Sequence, residues 1–525
     1  MRHRLFLLLT VFILLFLLVL LRLADIQILR HGFYQKKSLD QRTRLIKRAA
    51  HRGDILDRNG NLLATSIDAV SVYQHKKGWL ARKLDQASAE KLQAGGAAGV
   101  SLVKEKKRIY PKGRLAAQVI GFAGVDNQGL SGIELAFDAY LKGKNGQLII
   151  EGDPSGRQLY GALREIQPGS NGMDVTLTID ENIQYVAERE LKCAIREFKA
   201  ASGMCLVMDV KTGELLALAS EPGFDPNDYQ QASHLFWHPS FLDPFEPGST
   251  FKIVTVAAGL AEGVVTTGTR LKSMDRIVVG GKTIENSQPI DWPGPTISLS
   301  KMLERSVNTG SVQIGLKLGP EKFYRQIRKF GFGQYTDFGL QGESRGILRH
   351  WQHWYKPDVG MITFGQGIAV TPLQLLAAVS VFANDGEMVK PYLVKSIESD
   401  DGRFLKVFSP CRQTVVSPEV AKNVKEMMRN VVVQGSGKTA ALKDFAVCGK
   451  TGTAQKALPD GRGYMKDRYI ASFIGFAPAA DPRLACLVIV NDPRTTIWGG
   501  RVCGPVFRDV VEYSLRYMNA RPDML

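Results

Sequence analysis

An unbroken apolar run close to the amino terminus, from Leu5 to Leu21, limits what this chain can fold into more than any other feature. The run reads LFLLLTVFILLFLLVLL, which is about long enough to cross a bilayer and too long for the apolar part of a cleaved signal peptide. The RLADIQ that follows offers no small-x-small cleavage site. We therefore expect an uncleaved single-pass anchor over residues 5–23, preceded by a short cytoplasmic tail of residues 1–4.

The basic charge of the chain favours a membrane surface over nucleic acid. The formal net charge is +17 at pH 7, but Lys and Arg are spread along the chain. No helix-turn-helix, zinc-finger or RNA-recognition signature accompanies them, so we expect no nucleic-acid partner. The densest patch, Arg42 to Arg52, follows the anchor, where anionic headgroups are the nearest partner. Basic residues flank the anchor on both sides, so their count does not decide its orientation.

The cysteines form no metal or redox motif. They stand at positions 193, 205, 411, 448, 486 and 503, with no C-x-x-C pair, which excludes the common zinc and dithiol motifs. Cys205 and Cys486 lie in the apolar, strand-like MCLVMDV and RLACLVIV, which is typical of buried thiols. Outside the cytoplasm a pair could oxidise, but the sequence indicates no connectivity. We predict no metal and no cofactor.

The pattern of the chain changes at about residue 173. Residues 24–172 are charge-rich, with short strand patterns broken by glycine turns, as in RGDILDRNGNLLATS. After that, VTLTID alternates as a strand does, a helical pattern covers 183–200, and a hairpin is predicted to turn at 211–213. The chain closes with strands at YIASFIGFAPA and RLACLVIVND and a helix over about 506–518. This order predicts a sheet with helices packed on both faces.

One short segment, EPGSTFKIVTVAAGLAEG at 246–263, carries a candidate nucleophile. Its EPG cannot continue a helix from upstream, so a helix starts here, and apolar residues then recur at helical spacing. Ser249 and Lys252 are three residues apart, so their side chains share one helix face. A serine hydroxyl becomes a strong nucleophile when a base takes its proton, and a lysine can be that base only when it is neutral.

Two further short patterns follow this serine. S-x-N occurs once, as SVN at 306–308, and K-T-G occurs as KTGT at 450–453. Single matches carry little information, because S-x-x-K also occurs at 101 and 298 and K-T-G at 211. Only Ser249 has both other patterns downstream at domain-scale distances, with a helix start behind it.

The ordered set S-x-x-K, S-x-N and K-T-G resembles that of the penicillin-binding proteins and serine β-lactamases. The similarity extends along most of the chain, where RGDILDRNG, RIYPKGRLAAQVIGF, GLSGIE, EPGSTFK, KTGTAQ, SFIGFAP and GGRVCGPVF look like class B, monofunctional penicillin-binding proteins. The IGF and EPGST sequences lean towards the division-type branch, which builds septal wall. The second motif has valine where related enzymes often have aspartate; the two residues expected to face the substrate are kept.

This resemblance implies an α/β (α+β) serine penicillin-recognising transpeptidase fold. Residues 173–525 would form the transpeptidase domain, with a central antiparallel sheet and helices on both faces, and residues 24–172 an elongated, non-catalytic α+β pedestal of the dimerisation type. The implied activity is a D,D-transpeptidase that crosslinks peptidoglycan stem peptides through a serine acyl-enzyme and is acylated by β-lactams. Since stem peptides exist only outside the cytoplasm, we expect the bacterial cytoplasmic (inner) membrane, with an extracytoplasmic catalytic domain.

The resemblance also implies a role for each residue of the three motifs. Ser249 is the nucleophile, Lys252 its base, Lys450 a second positive charge, Ser306 a proton relay, Asn308 a holder of the donor amide, and Thr451, Gly452 and Thr453 the strand that binds the terminal carboxylate. Like charge and burial both disfavour an ammonium group, so the pKa of Lys252 is expected to be lowered towards neutrality. The N–H groups of Ser249 and Thr453 are the expected oxyanion donors.

The resemblance implies partner proteins, and the sequence leaves alternative functions open. No glycosyltransferase signature precedes the transpeptidase region, so the resemblance implies a polytopic membrane glycosyltransferase as partner, together with proteins of a division or elongation complex. Three alternatives stay open. They are an elongation-type transpeptidase, a D,D-carboxypeptidase or β-lactamase in which water takes the acyl group, and a catalytically idle division scaffold.

Three other patterns match known sites by letter but lack their context. GESRG at 342–346 fits the G-x-S-x-G nucleophile elbow, yet its surroundings read as a loop. GSGKT at 435–439 lacks the leading glycine of a phosphate loop, because position 432 is valine. His234 and His238 lack the glutamate of a zinc-peptidase helix.

Overall fold

A computed structural model describes residues 1–74, 77–95, 99–152, 158–230, 240–292, 294–399, 401–458 and 463–524. The chain divides into two compact units that alternate along the sequence. The small unit comprises Met1–His51, Asp68–Lys106 and Lys142–Gly172, and the large unit comprises Arg52–Ile67, Lys107–Leu141 and Met173–Leu525. The predicted domain division at residues 172 and 173 stays a prediction.

The helices of the described residues are α1 (Arg2–Ala24), α2 (His31–Arg42), α3 (Gln86–Ala94), α4 (Ala117–Ile120), α5 (Gly132–Ala136), α6 (Asp138–Leu141), α7 (Glu181–Glu197), α8 (Lys252–Ala261), α9 (Leu299–Glu304), α10 (Asn308–Leu318), α11 (Pro320–Lys329), α12 (Asp358–Ile362), α13 (Pro372–Ala383), α14 (Pro418–Val433) and α15 (Gly499–Tyr517).

The strands of the described residues are β1 (Thr43–Arg48), β2 (Ile55–Leu56), β3 (Leu62–Gln74), β4 (Gly78–Leu84), β5 (Val100–Ile109), β6 (Gly146–Gly152), β7 (Gln158–Gln167), β8 (Asp174–Leu177), β9 (Ser202–Asp209), β10 (Leu215–Glu221), β11 (Arg270–Lys272), β12 (Arg276–Val279), β13 (Lys282–Glu285), β14 (Thr296–Ser298), β15 (Glu387–Val389), β16 (Val394–Glu398), β17 (Phe404–Val407), β18 (Arg412–Thr414), β19 (Cys448–Ala457), β20 (Tyr464–Ala477) and β21 (Leu484–Asn491).

The small unit contains the predicted anchor. Helix α1 continues through a π-helical turn at Asp25–Leu29, and together they form a 28-residue helix that is long and apolar enough to cross a membrane. It is the one such helix in the described part of the chain, and none of the residues of α1 is buried against protein. The rest of the unit has a three-stranded sheet in the order β1-β6-β7, and strands β4 and β5, which pair with β3.

The large unit is built on a five-stranded sheet in the order β10-β9-β21-β20-β19, and every neighbouring pair is antiparallel. Side chains alternate between its two faces, as strands require. On β9, Cys205 and Val207 belong to the core that α7 and α15 cover. Leu206 and Met208 belong to the larger core that contains α8, α13 and α14. The predicted central antiparallel sheet with helices on both faces is confirmed.

A network of buried ion pairs joins the first two segments of the large unit, Arg52–Ile67 and Lys107–Leu141. Glu134 of α5 is fully buried and accepts hydrogen bonds from the guanidinium groups of Arg52 and Arg108, each at 2.6 Å. Arg52 also donates to Asp138, at 2.6 Å. Each charged group of this network has an oppositely charged partner, although Arg108 Nη2 makes no hydrogen bond among the described residues; such pairing limits the penalty for burying charge.

Most element predictions are confirmed, and the last helix differs. The predicted 211–213 turn joins β9 to β10, and the helical pattern at 183–200 corresponds to α7. Helix α15 begins at Gly499 rather than near Val506, and it contains Pro505. Glycine and proline are weak helix formers, but close packing outweighs that preference here. A Cβ atom on Gly504 would lie 2.1 Å from Thr439 Oγ1, so this turn of helix packs more tightly than other residues allow.

Candidate active site

The serine of the first motif lies in a tight turn before an apolar helix. Residues Gly248–Phe251 form a 3₁₀ turn that leads directly into α8, so the predicted helix start is confirmed. Gly248 has a φ of +57°, which favours glycine, and the Thr250 hydroxyl donates to Pro247 O at 2.7 Å. Ser249 stays partly exposed while its neighbours on both sides are buried. The turn therefore presents one hydroxyl at the surface of a rigid, buried element.

Two lysines meet at one serine hydroxyl. Lys252 Nζ lies 3.1 Å from Ser306 Oγ and 2.5 Å from Ser306 O. Lys450 Nζ lies 3.0 Å from the same Ser306 Oγ and also donates to Thr451 O at 3.0 Å. Both lysine side chains are fully buried. The three motifs, which are far apart in sequence, thus converge on a single oxygen atom.

The two buried amines have lowered pKa values. Burial lowers the pKa of Lys252 well below its usual value, and the charge of Lys450 lowers it further. Burial lowers the pKa of Lys450 to about 7. The predicted direction is confirmed, and both expected causes contribute to it. The larger cause is the loss of water around Lys252, and the charge of Lys450 is the smaller one.

An unusual backbone conformation positions the residues of the second motif. Ser306 lies between α9 and α10 with a φ of +57°, in the left-handed region that non-glycine residues rarely adopt. Val307 is 3% exposed and packs in the core, so the middle position faces away from the site, as expected from the sequence. Asn308 begins α10, and its Nδ2 donates to Glu285 O at 2.8 Å.

The third motif lies on β19, an edge strand of the central sheet. Gly452 is required by space, because a Cβ atom there would lie 2.2 Å from Ser472 Oγ. The Thr451 hydroxyl lies 2.7 Å from Ser436 Oγ. Thr453 Oγ1 accepts the N–H of Gly499 at 3.2 Å, which fixes the strand to the start of α15.

Two cavities open on either side of Ser249. The first, of about 360 Å³, is lined by Asn308, Tyr469 and Gln455 and is named the Asn308 cavity. The second, of about 410 Å³, is lined by Thr451 and Ser306 and is named the Thr451 cavity. Four residues line both cavities: Ser249, Ser287, Thr453 and Trp498. The hydroxyl therefore stands between two spaces, each able to hold part of a substrate.

A half-buried carboxylate three residues before the nucleophile was not predicted from the sequence. Glu246 accepts the N–H of Gly367 at 2.8 Å and the hydroxyl of Tyr464 at 3.4 Å, and burial raises its pKa. Gly248 N donates to Gly365 O at 3.2 Å, and a Cβ atom on Gly365 would lie 2.3 Å from Gly248 O. The two glycines of FGQG at 364–367 were the available signal, since such residues permit close backbone approach.

The three patterns that match other known sites by letter have different outcomes. GESRG at 342–346 is a loop, as predicted. GSGKT at 435–439 follows α14, and its Ser436 contacts the site, although the sequence reasoning set this segment aside. His234 and His238 lie outside the described residues.

The six cysteines are free thiols. Cys205 and Cys486 are buried, as predicted, and their sulfur atoms are 3.9 Å apart. This distance is too long for a disulfide bond.

Comparisons with known proteins agree over most of the chain. A family model described as penicillin binding protein transpeptidase domain matches residues 203–512, and one described as penicillin-binding protein dimerisation domain matches residues 71–177. Stage V sporulation protein D of Bacillus subtilis is 34% identical and covers 99% of this chain and 86% of its own length. Peptidoglycan D,D-transpeptidase FtsI of Escherichia coli is 33% identical, over 90% of this chain and 79% of its own length.

Solved structures give the same result. Penicillin binding protein 3 of Mycobacterium tuberculosis, in complex with aztreonam, superposes with a TM-score of 0.75 at 30% identity, over 91% of this chain and 98% of that chain. A peptidoglycan synthetase from Bifidobacterium adolescentis gives a TM-score of 0.77 at 25% identity, over 92% and 98% of the two chains.

Proposed function

The chain belongs to the penicillin-binding protein transpeptidase family, and on that premise we propose that it is a peptidoglycan D,D-transpeptidase acting through an acyl-enzyme on Ser249. One observation carries the proposal above all. The amines of Lys252 and Lys450 both contact Ser306 Oγ, and Ser306 and Ser249 line the same cavity. The IGF and EPGST sequences, which resemble the division-type branch, favour a role in septal wall synthesis.

Acylation starts from a neutral Lys252. Its lowered pKa lets the amine take the proton of Ser249 as the oxygen attacks the carbonyl between the last two D-alanines of a donor stem peptide. Ser306 is placed to pass that proton on towards the leaving amine, because its hydroxyl contacts both lysines. The C–N bond breaks, D-alanine leaves, and an ester on Ser249 remains.

The neighbouring backbone and strand stabilise the charges of this step. Ser249 lies in the first turn of a helical segment, where N–H groups are free, so its N–H and that of Thr453 are the proposed oxyanion donors. Losing one such donor typically costs about 3–4 kcal/mol of barrier. We assign the terminal carboxylate of the donor to Thr451 and Thr453 beside Lys450, and the donor amide to Asn308.

The same family supplies the proposed context. We assign residues 24–172 to a pedestal and residues 173–525 to the transpeptidase domain, held by the anchor in the bacterial cytoplasmic membrane with the catalytic domain outside. We propose β-lactams as covalent inhibitors and a polytopic membrane glycosyltransferase, within a division complex, as the partner that polymerises the glycan.

Labelling with a fluorescent penicillin, followed by peptide mapping, tests this function. We expect the label on Ser249, and its loss in Ser249→Ala. Ser101→Ala is the matched control, because Ser101 starts another S-x-x-K pattern in the small unit and should leave labelling intact.

Three results would count against the proposal. Label on any residue other than Ser249 would overturn the assignment of the nucleophile. Rapid release of the label would indicate a β-lactamase rather than a transpeptidase. Growth supported by a Ser249→Ala allele would indicate a scaffold whose hydroxyl is not needed.

A further inference from the structure

The Thr451 cavity is larger and more cationic than the departure of one D-alanine requires. Its lining contains three charged residues, Arg305, Lys438 and Arg501, and none of the residues that line it is acidic. The Asn308 cavity differs, since it contains both Lys282 and Glu285. The two sides of Ser249 therefore present different electrostatic surroundings.

Within the described part of the chain, two of these three cations have no acidic partner, and the third has one. Arg305 donates to Asp291 at 3.2 Å. Among the described residues, neither Lys438 nor Arg501 forms an ion pair, and both are exposed at the cavity. Their charge is available to a ligand, and the hydroxyls of Ser436 and Thr451, which lie 2.7 Å apart, line the same cavity as the two cations and Ser249.

The reaction has two halves, acylation of Ser249 and transfer of the acyl group to an amine. Their relation to each other indicates which ligand the cations of this cavity would bind. If the proposed function holds, the leaving D-alanine carries its carboxylate towards Thr451, so its amine departs through the Thr451 cavity. The second half-reaction is the chemical reverse of the first with a different amine. The attacking amine must therefore approach through the same space from which the first amine left.

We propose that the Thr451 cavity is the acceptor site, and that Lys438 and Arg501 select an acceptor with free carboxylates. The acceptor amine carries one carboxylate next to it, in the position that the leaving D-alanine used, and a second, more distant carboxylate reaches the two cations. In stem peptides this favours free carboxylates over amidated ones. Surface charges of this kind contribute modestly, so the expected discrimination is about three- to tenfold.

The chemical step balances without any further reactant. The acceptor nitrogen attacks the ester carbonyl carbon of the acyl-enzyme, a C–N bond forms, and the bond from that carbon to Ser249 Oγ breaks. The proton that the nitrogen loses passes first to Ser306 and then by way of Lys252 to Ser249 Oγ, which restores the free hydroxyl.

A partition experiment on the full-length chain in detergent tests this inference. A D-alanyl thioester donor acylates the enzyme, and the acyl group then passes either to water, giving acid, or to an added amine, giving amide. D-glutamate and D-glutamine are the two acceptors, because they differ only in the distal carboxylate. The amide-to-acid ratio, read by mass spectrometry, is independent of the acylation rate.

We expect the ratio to be about three- to tenfold higher for D-glutamate than for D-glutamine, and this preference to weaken as ionic strength rises. In Lys438→Gln/Arg501→Gln the preference should fall to about one. Lys443→Gln/Arg521→Gln removes the same charge from positions outside the cavity lining and should keep it.

Two outcomes would overturn the acceptor site. The first is an equal amide-to-acid ratio for D-glutamate and D-glutamine in the wild type, which includes the case of no amide from either acceptor. The second is a preference for D-glutamate that survives in Lys438→Gln/Arg501→Gln. Failure of the proposed function has a different signature. In that case the thioester would give no acid product above the level of Ser249→Ala.

Discussion

Replacing Lys450 by glutamine should shift the pH dependence of acylation in a direction that the geometry fixes. The amines of Lys252 and Lys450 lie 3.1 and 3.0 Å from the same oxygen of Ser306, so they are within about 6.1 Å of each other. Two unit charges at that separation repel by about 3 kcal/mol at an effective dielectric constant of about 20. This is close to a hundredfold in the ratio of neutral to charged Lys252.

Two further features decide how much the substitution changes the pKa of Lys252. The pKa of Lys450 is about 7, so its amine is only partly charged at neutral pH. Burial, which is the larger cause of the lowered pKa of Lys252, remains when Lys450 is replaced. The sign is nevertheless definite. The base must be neutral, so the acylation rate rises with pH through the pKa of Lys252, and removing the facing charge raises that pKa.

The assay is the second-order rate of acylation by a penicillin, measured from about pH 5 to pH 10. We expect the acidic limb of the profile to move to higher pH in Lys450→Gln, with lower rates throughout because a carboxylate-binding group is lost. Lys450→Arg is the control, since arginine keeps the charge at every pH used, and its limb should stay or move to lower pH. The same acidic limb in all three proteins would refute electrostatic coupling between the two amines.

Three further predictions concern single positions. Ser306→Ala should lower acylation by about 10²–10⁴-fold, as expected for the loss of a proton relay, with little change in the melting temperature; an unchanged rate would remove Ser306 from the mechanism. Gly452→Ala should lower both acylation and the melting temperature, because the new methyl group would meet the hydroxyl of Ser472; equal values in Gly452→Ala and wild type would show that the strand adjusts freely. Glu134→Gln should cost about 3–5 kcal/mol in denaturant unfolding, because it leaves the buried charge of Arg52 without its main partner; a cost below about 1 kcal/mol, the size of a surface ion pair, would contradict that.

The sequence predicted the central sheet and the motif residues well, because both have strong local signals. Alternating apolar residues identify β9 and β21 without knowledge of their partners, and EPG marks the start of the helical segment that carries Ser249. The convergence of Lys252 and Lys450 was expected from the resemblance to the penicillin-binding proteins. The site roles remain proposals, but their geometry matches that expectation.

The features that the sequence did not predict depend on contacts between segments that are distant in the chain. The left-handed backbone of Ser306 has no local signature, since serine rarely adopts it, and the Lys252 amine that donates to Ser306 O is 54 residues away in sequence. The hydrogen bond from Gly367 to Glu246 joins segments more than a hundred residues apart. The early start of α15 depends on space beside Thr439. Sequence periodicity carries none of this information.

The hydroxyl shared by the two lysines has a consequence for the timing of the reaction. A hydroxyl has one hydrogen and two lone pairs. While both amines donate to it, both lone pairs of Ser306 Oγ are occupied and its hydrogen must point elsewhere. While Lys252 is neutral, that hydrogen can turn towards its lone pair, and it must turn away again once Lys252 has taken the proton of Ser249 and donates to Ser306 Oγ. The rotation of one O–H bond therefore depends on the protonation state of the base, and the path from Ser306 to the leaving amine opens only after the base has received its proton.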